Sequence, residues 1–208
     1  MEETHEHLGA RAAQLISAGS FFYHRGWMPA TAGGLSARLD DHRMLITESG
    51  RNKGELGHDG LMMVDLDGNV LSPGKQPSAE TFLHIILYRR SPRIGAVMHT
   101  HSVSATVLSR IVEGAELTLT DCEVLRTLPG IACRDTSITL PIFGNDQDIP
   151  QLAAQVDDHM NRHPDTPGYL IEGHGFYTWG RDAAEARHHV EAFEFLFDCE
   201  LQLRRLKP

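Results

Sequence analysis

Three histidines have the spacing and surroundings expected of metal ligands. His99 and His101 lie two residues apart in the segment AVMHTHS, and His174 lies between Gly173 and Gly175. Side chains two residues apart on a strand leave the same face about 6.5 Å apart, so two imidazoles can reach one ion at about 2.0–2.1 Å. Flanking glycines permit a tight turn and leave the imidazole of His174 unobstructed. We therefore predict that the three histidines bind one divalent cation.

The same spacing also fits two ordinary strand histidines that hydrogen-bond to neighbours or solvent, because short motifs often occur by chance. The nearby Gly-His-Gly favours the metal interpretation. The chain has 13 histidines, of which six lie in polar or terminal segments and are predicted to be surface residues: His5, His7, His159, His163, His188 and His189. The sequence assigns no role to His24, His42, His58 and His84.

Two glutamates are candidates for proton transfer. Glu80 follows Ser78, the predicted N-cap of a helix, where a negative charge is stabilised by the helix dipole. Glu123 interrupts the apolar segment TDCEVLRTL. We interpret this segment as strand-like and buried, and a buried carboxylate requires a partner or a chemical role. The residues alone leave a structural and a catalytic role open for both glutamates.

Glycine, serine and threonine are concentrated in two segments, ATAGGLSAR at residues 30–38 and TESGRNKG at residues 47–54. Such loops can present backbone N–H groups and hydroxyls to a phosphate, with Lys53 adding positive charge. The P-loop pattern G-x-x-x-x-G-K-[ST] does not occur in the sequence. Two ordinary turns are the alternative interpretation.

The composition is that of an acidic globular chain. Its 208 residues include 28 acidic and 19 basic ones, with a formal net charge of −9, and 41% are hydrophobic. We expect a single domain over residues 1–208 with a full hydrophobic core. The acidity and the lack of a basic stripe argue against nucleic acid as a partner. Neither a signal peptide nor a run of about 18 apolar residues is present, so we expect no membrane partner and a cytoplasmic location.

Cysteine usage agrees with a reducing compartment. Cys122, Cys133 and Cys199 are odd in number, widely spaced and without a C-x-x-C pair. This pattern fits reduced thiols better than a disulfide framework or a cysteine-based zinc site.

Hydrophobic periodicity indicates the elements that must position these residues. Helical spacing predicts four helices. The first covers residues 3–18 and ends at Gly19, the second begins after Ser78, the third covers Ile149–Arg162, and the fourth runs from Asp182 towards the end of the chain. Short alternating or apolar runs predict strands at residues 35–39, 44–47, 61–64, 95–101, 117–120, 137–142, 169–171 and 176–179. Asp67-Gly68 predicts a hairpin turn that leads to residues 70–71. This order predicts a layered α/β domain with an antiparallel-rich sheet.

Taken in order, ATAGGLSAR, ITESG, KQPSAET, HTH and Gly-His-Gly resemble the class II aldolase/adducin family over roughly residues 8–201. The resemblance implies a class II aldolase-like α/β fold with three layers, α/β/α, and a central, mainly antiparallel sheet. It also implies one zinc ion per subunit, held by His99, His101 and His174. In the sugar-phosphate aldolases of the family, a glutamate matching Glu80 is a further ligand or an acid/base. Family members place the site between subunits, which implies a homo-oligomer, expected to be a homotetramer.

Within this family the likeness is greatest to the dehydratases of methionine salvage, which remove water from a phosphorylated ketose. GHGFYTWGRDAAEARHHVEAFEFLFDCEL, FFYHRGWMPATAGGLSAR and SGRNKGEL carry this likeness. It implies Glu123 as the acid/base and Arg126 as a phosphate contact. Phosphate binding is expected from Ser49, Gly50, Lys53, Ser78 and Arg126. The family's phosphate loop commonly reads Gly-Asn, whereas this chain has Gly33-Gly34. Gly34 can therefore offer a phosphate only its backbone N–H.

Two other functions fit the same residues. One is a class II aldolase or epimerase that acts on a sugar phosphate and transfers protons through Glu80 rather than Glu123. The other is a non-enzymatic interaction domain of the adducin kind. The complete histidine triad argues against the second, because a binding module does not require metal ligands.

Overall fold

An eight-stranded sheet forms the centre of the fold in a computed structural model that describes residues 2–128, 131 and 137–206. The strands are β1 (Gly34–Arg38), β2 (Arg43–Thr47), β3 (Leu61–Asp65), β4 (Ala96–Thr100), β5 (Glu116–Leu119), β6 (Ile138–Phe143), β7 (Gly168–Ile171) and β8 (Gly175–Gly180). The helices of the described residues are α1 (Glu2–His24), α2 (Thr81–Arg90), α3 (Val103–Ile111), α4 (Ile149–Arg162) and α5 (Ala183–Leu206).

The strands lie in the order β3-β2-β1-β4-β8-β7-β6-β5. Neighbouring strands are antiparallel, except that β6 and β7 are parallel. Helices α2 and α4 pack together over one face of the sheet, whereas α1, α3 and α5 cover the other. The expected three-layer α/β/α fold with a mainly antiparallel sheet is therefore confirmed.

Strand β4 lies in the middle of the sheet and is buried along its whole length. Val97 belongs to the core under α2 and α4, whereas Ala96 and Met98 belong to the core under α1 and α5. Because side chains alternate between faces, His99 shares the face of Val97, and Thr100 lies on the opposite face. Both layers of helices can therefore contact the end of this strand.

The structure corrects two predicted helix boundaries. Helix α1 does not end at Gly19 but continues to His24. A Cβ atom at Gly19 would lie 2.9 Å from the backbone oxygen of Lys53, so this glycine permits close packing against the short 3-10 helix Lys53–Glu55. Helix α2 begins at Thr81, and Ser78 is not its N-cap; instead, the Ser78 hydroxyl accepts a hydrogen bond of 3.3 Å from the backbone N–H of Glu80.

Helix α3 was not predicted. It begins after Ser102, whose hydroxyl accepts a hydrogen bond of 3.1 Å from the backbone N–H of Ala105. The turn at Asp67-Gly68 forms, with Gly68 at a φ of 92°. Its second arm is reduced to a single bridge between Val64 and Val70.

Cys122 and Cys199 are free thiols, as predicted, and Cys133 lies outside the described residues. Among the described helices, none is both long and apolar enough to cross a membrane.

Candidate metal centre

Four side chains converge at the end of β4. Glu80, His99, His101 and His174 each present a nitrogen or oxygen atom, and these four atoms all lie within 4.8 Å of one another. The Nε2 atoms of His99 and His174 are 3.3 Å apart. The Glu80 carboxylate lies 2.8 Å from Nε2 of His174 and 3.6 Å from Nε2 of His99. The structure thus brings the three predicted histidines together and adds Glu80 to them.

Close backbone packing places His174 beside His99. The turn between β7 and β8 contains Gly173, with a φ of 62°, which favours glycine. A Cβ atom at Gly175 would overlap the backbone oxygen of Thr100 and lie 3.0 Å from the imidazole of His99. Both glycines that flank His174 are therefore required, one by its backbone conformation and the other by the approach of β4.

Helix α3 holds this turn from the side. The hydroxyl of Thr106 donates a hydrogen bond of 3.1 Å to the backbone oxygen of His174. The hydroxyl of Ser109 accepts one of 3.0 Å from the backbone N–H of Gly173. The helix that the sequence did not reveal thus fixes the position of a predicted ligand.

Hydrogen bonds and ring stacking orient the imidazoles. Nδ1 of His99 lies 3.1 Å from the backbone oxygen of Phe176, to which it donates, so Nε2 of His99 carries the free lone pair. The ring of His99 stacks on Tyr177 with centroids 3.8 Å apart. Nε2 of His101 is buried and has no hydrogen-bond partner among the described residues. A buried, unpaired imidazole nitrogen beside three further donor groups fits a divalent cation.

The protonation states of the cluster also suit a cation. Burial lowers the pKa of His99 well below its usual value and that of His101 to about 4, so both rings are neutral near pH 7. Burial alone would raise the pKa of Glu80, but the hydrogen bond with His174 and the nearby histidines lower it to about 2. Neutral imidazoles and an ionised carboxylate are the metal-binding forms.

Lys53 lies close to this cluster. Its side chain is 2% exposed, and its ammonium group donates hydrogen bonds of 2.8 Å to the backbone oxygens of Thr31 and Arg51. Burial lowers the pKa of Lys53 to about 8, while the negative charge of Glu80 acts in the opposite direction. A positive charge is therefore available beside the predicted ligands.

Two other residues predicted to bind phosphate lie in adjoining loops. Ser49 donates a backbone hydrogen bond of 3.1 Å to the oxygen of Gln76, which connects the loop after β2 with the segment that leads to Glu80. Gly50 has a φ of 73° and occupies the turn that follows. Together with the bond between Ser78 and Glu80, this contact joins the loop after β2 to the segment that carries Glu80.

Glu123 and Arg126 lie in different surroundings from those predicted. Strand β5 ends at Leu119, and Glu123–Thr127 forms a short 3-10 helix, so the interpretation of this segment as a buried strand is wrong. The apolar residues of this segment pack against the core on one side of the 3-10 helix, whose one buried residue is Leu125. The side chain of Glu123 is 66% exposed and forms an ion pair of 2.5 Å with Arg126, which is 54% exposed. The described contacts do not join either residue to the cluster.

The predicted surface histidines divide into three groups. His7, His163 and His188 are exposed, as predicted, whereas the side chain of His5 lies outside the described residues. His159 is half-buried and packs against the ring of Phe143. His189 is buried, and its Nδ1 lies 2.7 Å from the backbone oxygen of Trp179, so its prediction as a surface residue is wrong.

A large open cleft of about 1120 Å³ lies away from the cluster. Ile94, Trp179 and Gly180 line it, so it lies at the opposite end of β4 and β8 from the histidines. None of the four cluster residues lines this cleft. The donor groups and not the volume of a cavity therefore identify the candidate site.

Comparison with known sequences gives consistent matches. A methylthioribulose-1-phosphate dehydratase of Pseudomonas paraeruginosa is 56% identical over 193 residues, which cover 93% of this chain and 94% of that relative. A protein of the same name from Azotobacter vinelandii is 53% identical over 194 residues, again covering 93% and 94%.

Solved structures agree with the fold. YgbL of Escherichia coli superposes with a TM-score of 0.78 at 28% identity, covering 95% of this chain and 90% of that one. An L-fuculose-1-phosphate aldolase of Thermus thermophilus has a TM-score of 0.75 at 24% identity, with coverages of 95% and 97%, and shows the fold alone. Residues 13–201 match the family described as the class II aldolase and adducin N-terminal domain. On this match over most of its length, with the fold and histidine cluster described above, the chain belongs to the class II aldolase and adducin family.

Proposed function

We propose that this protein is a zinc-dependent methylthioribulose-1-phosphate dehydratase. The observation that carries the proposal is 56% identity over 93% of the chain to a relative of that name. The cluster of Glu80 and three histidines supports it, because three nitrogen donors and a carboxylate oxygen suit zinc in a site that also binds substrate.

The reaction removes one water molecule from a phosphorylated ketose. A proton leaves the carbon next to the carbonyl, and the hydroxyl of the following carbon is protonated and departs as water. The enol that results rearranges to the diketone without a further reactant. When bound at the cluster, the metal ion would supply Lewis-acid polarisation of the substrate oxygens. The protein must supply a proton acceptor, a proton donor and a phosphate site.

We assign the proton transfer to Glu123. Its carboxylate is 66% exposed and pairs with Arg126, which is 54% exposed, so a substrate can reach both side chains. Glu80 is instead held by His174 at 2.8 Å within the donor set. A carboxylate that holds a cation would be a weaker base, whereas Glu123 lies outside the donor set. In this assignment Glu80 is a metal ligand, and Glu123 takes the proton from the substrate carbon.

The phosphate is assigned to the loops beside the cluster. Ser49, Gly50 and Ser78 supply backbone and hydroxyl donors, and Lys53 and Arg126 supply positive charge. Lys53 lies beside the cluster, whereas Arg126 is assigned on the family resemblance alone. By family resemblance, we also propose a single domain, a homotetramer and a cytoplasmic location; light scattering of the purified protein tests the number of subunits.

One observation favours a second candidate function. Glu80 lies in the cluster, as expected for a class II sugar-phosphate aldolase or epimerase that transfers protons through this residue. The deciding experiment offers methylthioribulose 1-phosphate and fuculose 1-phosphate to the same zinc-loaded preparation, with the metal content measured on that sample. We expect turnover of the first substrate alone. Turnover of fuculose 1-phosphate alone would replace the proposal with an aldolase, and absence of metal from fresh protein would favour an interaction domain.

A further inference from the structure

The lack of a side chain at Gly34 leaves one edge of the His84 ring uncovered on the face of the sheet that carries the histidine cluster. Gly34 and His99 are direct partners in the antiparallel β1/β4 pair, and residues directly opposite each other project to the same face. A Cβ atom at Gly34 would therefore point to the side of the sheet occupied by His99. It would lie 3.2 Å from Nε2 and 3.7 Å from Cε1 of His84.

His84 is held in place from its other edge. Its Nδ1 lies 2.8 Å from the hydroxyl of Ser36, which in turn lies 2.8 Å from the hydroxyl of Tyr88. Ser36 is two residues from Gly34 on β1, so it shares the same face. His84 and Tyr88 are four residues apart on α2 and lie on one side of that helix. The ring of His84 also contacts Tyr177 edge to face, with centroids 5.7 Å apart.

The two hydroxyl groups determine which ring nitrogen carries the hydrogen. Suppose that Nδ1 of His84 donated to Ser36 and Ser36 donated to Tyr88. The hydroxyl hydrogen of Tyr88, whose side chain is 2% exposed, would then lack an acceptor among the described residues. In the reverse direction, Tyr88 donates to Ser36, Ser36 donates to Nδ1, and every hydroxyl hydrogen is bonded. The hydrogen of the neutral ring then resides on Nε2.

Burial keeps this ring neutral, since it lowers the pKa of His84 to about 4. His84 is 1% exposed, and no hydrogen bond joins its Nε2 to another of the described residues. The free edge of the imidazole therefore presents an N–H donor to the space above Gly34, beside the cluster. Nε2 of His84 is not one of the fully buried unpaired atoms of the described residues, so an acceptor can reach it from this space and complete its hydrogen bond.

We propose that Nε2–H of His84 donates a hydrogen bond to an oxygen of the phosphorylated ketose, in the space that a side chain at position 34 would fill. This inference rests on the proposed function only for the identity of the ketose. It makes His84 a substrate-binding residue distinct from the metal donor set, and Gly34 the residue that gives the substrate access to it.

Two single variants test the two halves of the proposal. His84→Leu removes the donor, and Gly34→Ala leaves the donor but fills the space. In each zinc-loaded variant we expect KM for methylthioribulose 1-phosphate to rise by about 10-fold, the loss of one hydrogen bond, with metal content unchanged and kcat altered far less. Gly144→Ala is the matched control, because a Cβ atom there meets nothing within 4 Å.

A double variant separates binding from a structural role. In His84→Leu combined with Gly34→Asn, the asparagine amide can occupy the vacated space and donate in place of the imidazole. We expect it to recover most of the KM lost in His84→Leu. Failure of both single variants to change KM by more than 2-fold would overturn the proposal, as would a drop in kcat and metal content together.

Binding measurements keep this inference independent of the reaction. Calorimetry with ribitol phosphate, which lacks the carbonyl and cannot be dehydrated, should show weaker binding to both single variants. A matching loss with inorganic phosphate would place the contact at the phosphate, and an unchanged affinity for phosphate would place it at a sugar hydroxyl. If the wild-type protein binds ribitol phosphate through His84 but does not turn over methylthioribulose 1-phosphate, the proposed function fails and the His84 site stands. If ribitol phosphate binds equally to all variants, the His84 site fails.

Discussion

Glu194 on α5 accepts a hydrogen bond of 2.7 Å from the hydroxyl of Thr100, the residue between His99 and His101. The helical layer behind the sheet thus contacts the segment that carries two of the candidate ligands. The Glu194 side chain is fully buried, and its second oxygen has no hydrogen-bond partner among the described residues. Burial raises the pKa of Glu194 to about 7, although the hydroxyls of Ser102 and Thr100 lower it in part.

This raised pKa predicts a pH-dependent cost that Glu194→Gln removes. Above pH 7 the carboxylate is ionised in both folded and unfolded protein, and the folded state bears the full cost of a buried charge. As pH falls towards 4.5, the folded state takes up a proton first and the cost disappears. Relative to wild type, the glutamine variant should gain about 2 kcal/mol more in unfolding free energy at pH 8 than at pH 5. Urea unfolding of the metal-free proteins measures this, and an equal difference at both pH values contradicts it.

Removing a cluster histidine should remove the metal without unfolding the chain. His99→Ala and His174→Ala each delete one of the converging nitrogen donors, and loss of one of few ligands lowers affinity sharply. Elemental analysis after dialysis should find metal in wild type and in His188→Ala, an exposed histidine on α5, but not in the two ligand variants. Circular dichroism checks that they fold. Full metal occupancy in either variant would refute its assignment as a ligand.

Replacing the two glutamates should have different effects, one on kcat and the other on metal content. Glu123→Gln is expected to retain metal and lose kcat by about 10²-fold or more, because it removes the proton-transferring group. Glu80→Gln is expected to lose metal, since the neutral amide is a poorer ligand. Steady-state kinetics and metal analysis on the same samples decide the matter. Near-normal turnover of metal-loaded Glu123→Gln, or metal-replete but inactive Glu80→Gln, would transfer the proton-transfer role to Glu80.

Phosphate binding should depend on the exposed arginine beside Glu123. Arg126→Ala is expected to raise KM about 10-fold and to weaken binding of inorganic phosphate, because a charge-assisted hydrogen bond is lost. Arg162→Ala is the control, since Arg162 is also exposed and paired with a neighbouring acid, Asp158, but lies on α4. An unchanged KM in Arg126→Ala would show that Arg126 does not bind the phosphate. In that case Lys53→Met tests whether the other cation binds it.

The close approach of β8 to β4 predicts that Gly175 cannot be replaced. In Gly175→Ala the added methyl group would overlap the Thr100 backbone oxygen and press on the His99 ring. We expect a loss of at least about 2 kcal/mol in unfolding free energy together with weaker metal binding. Gly144→Ala, which adds the same methyl group in open space, should be nearly neutral. Thermal unfolding of both variants tests this, and equal melting temperatures would contradict the packing argument.

Sequence patterns predicted the elements whose signals are local. Helix α4 runs over Ile149–Arg162 as expected, because its apolar periodicity is preceded by Asp148, whose carboxylate caps the backbone N–H of Gln151. The alternating strands and the His-x-His and Gly-His-Gly motifs likewise depend on near neighbours. Helix α3 has a comparable cap in Ser102, but it is only nine residues long and rich in β-branched and hydroxyl residues, which favour a helix weakly. Packing against α5 stabilises it.

Other features depend on contacts that no local pattern reveals. Gly19 was interpreted as a helix end, but its role is to admit the backbone of Lys53 against α1. Glu123 was interpreted as buried because its neighbours are apolar, yet those neighbours pack beneath a turn that leaves the carboxylate in solvent. His84 had no assigned role, because its significance arises from Ser36 and Gly34, about 50 residues earlier in the chain.

The cluster ligands are distant in sequence, with His99 and His174 separated by 75 residues. A metal ion bound by both residues would therefore act as a reversible cross-link, because it would join the middle of the chain to a turn near its last helix. The unfolded chain has no such site, so each tenfold increase in free metal above the dissociation constant would add about 1.4 kcal/mol to the unfolding free energy. The shelf life of the purified protein, and its resistance to proteases, would therefore be set by the free metal concentration of its buffer.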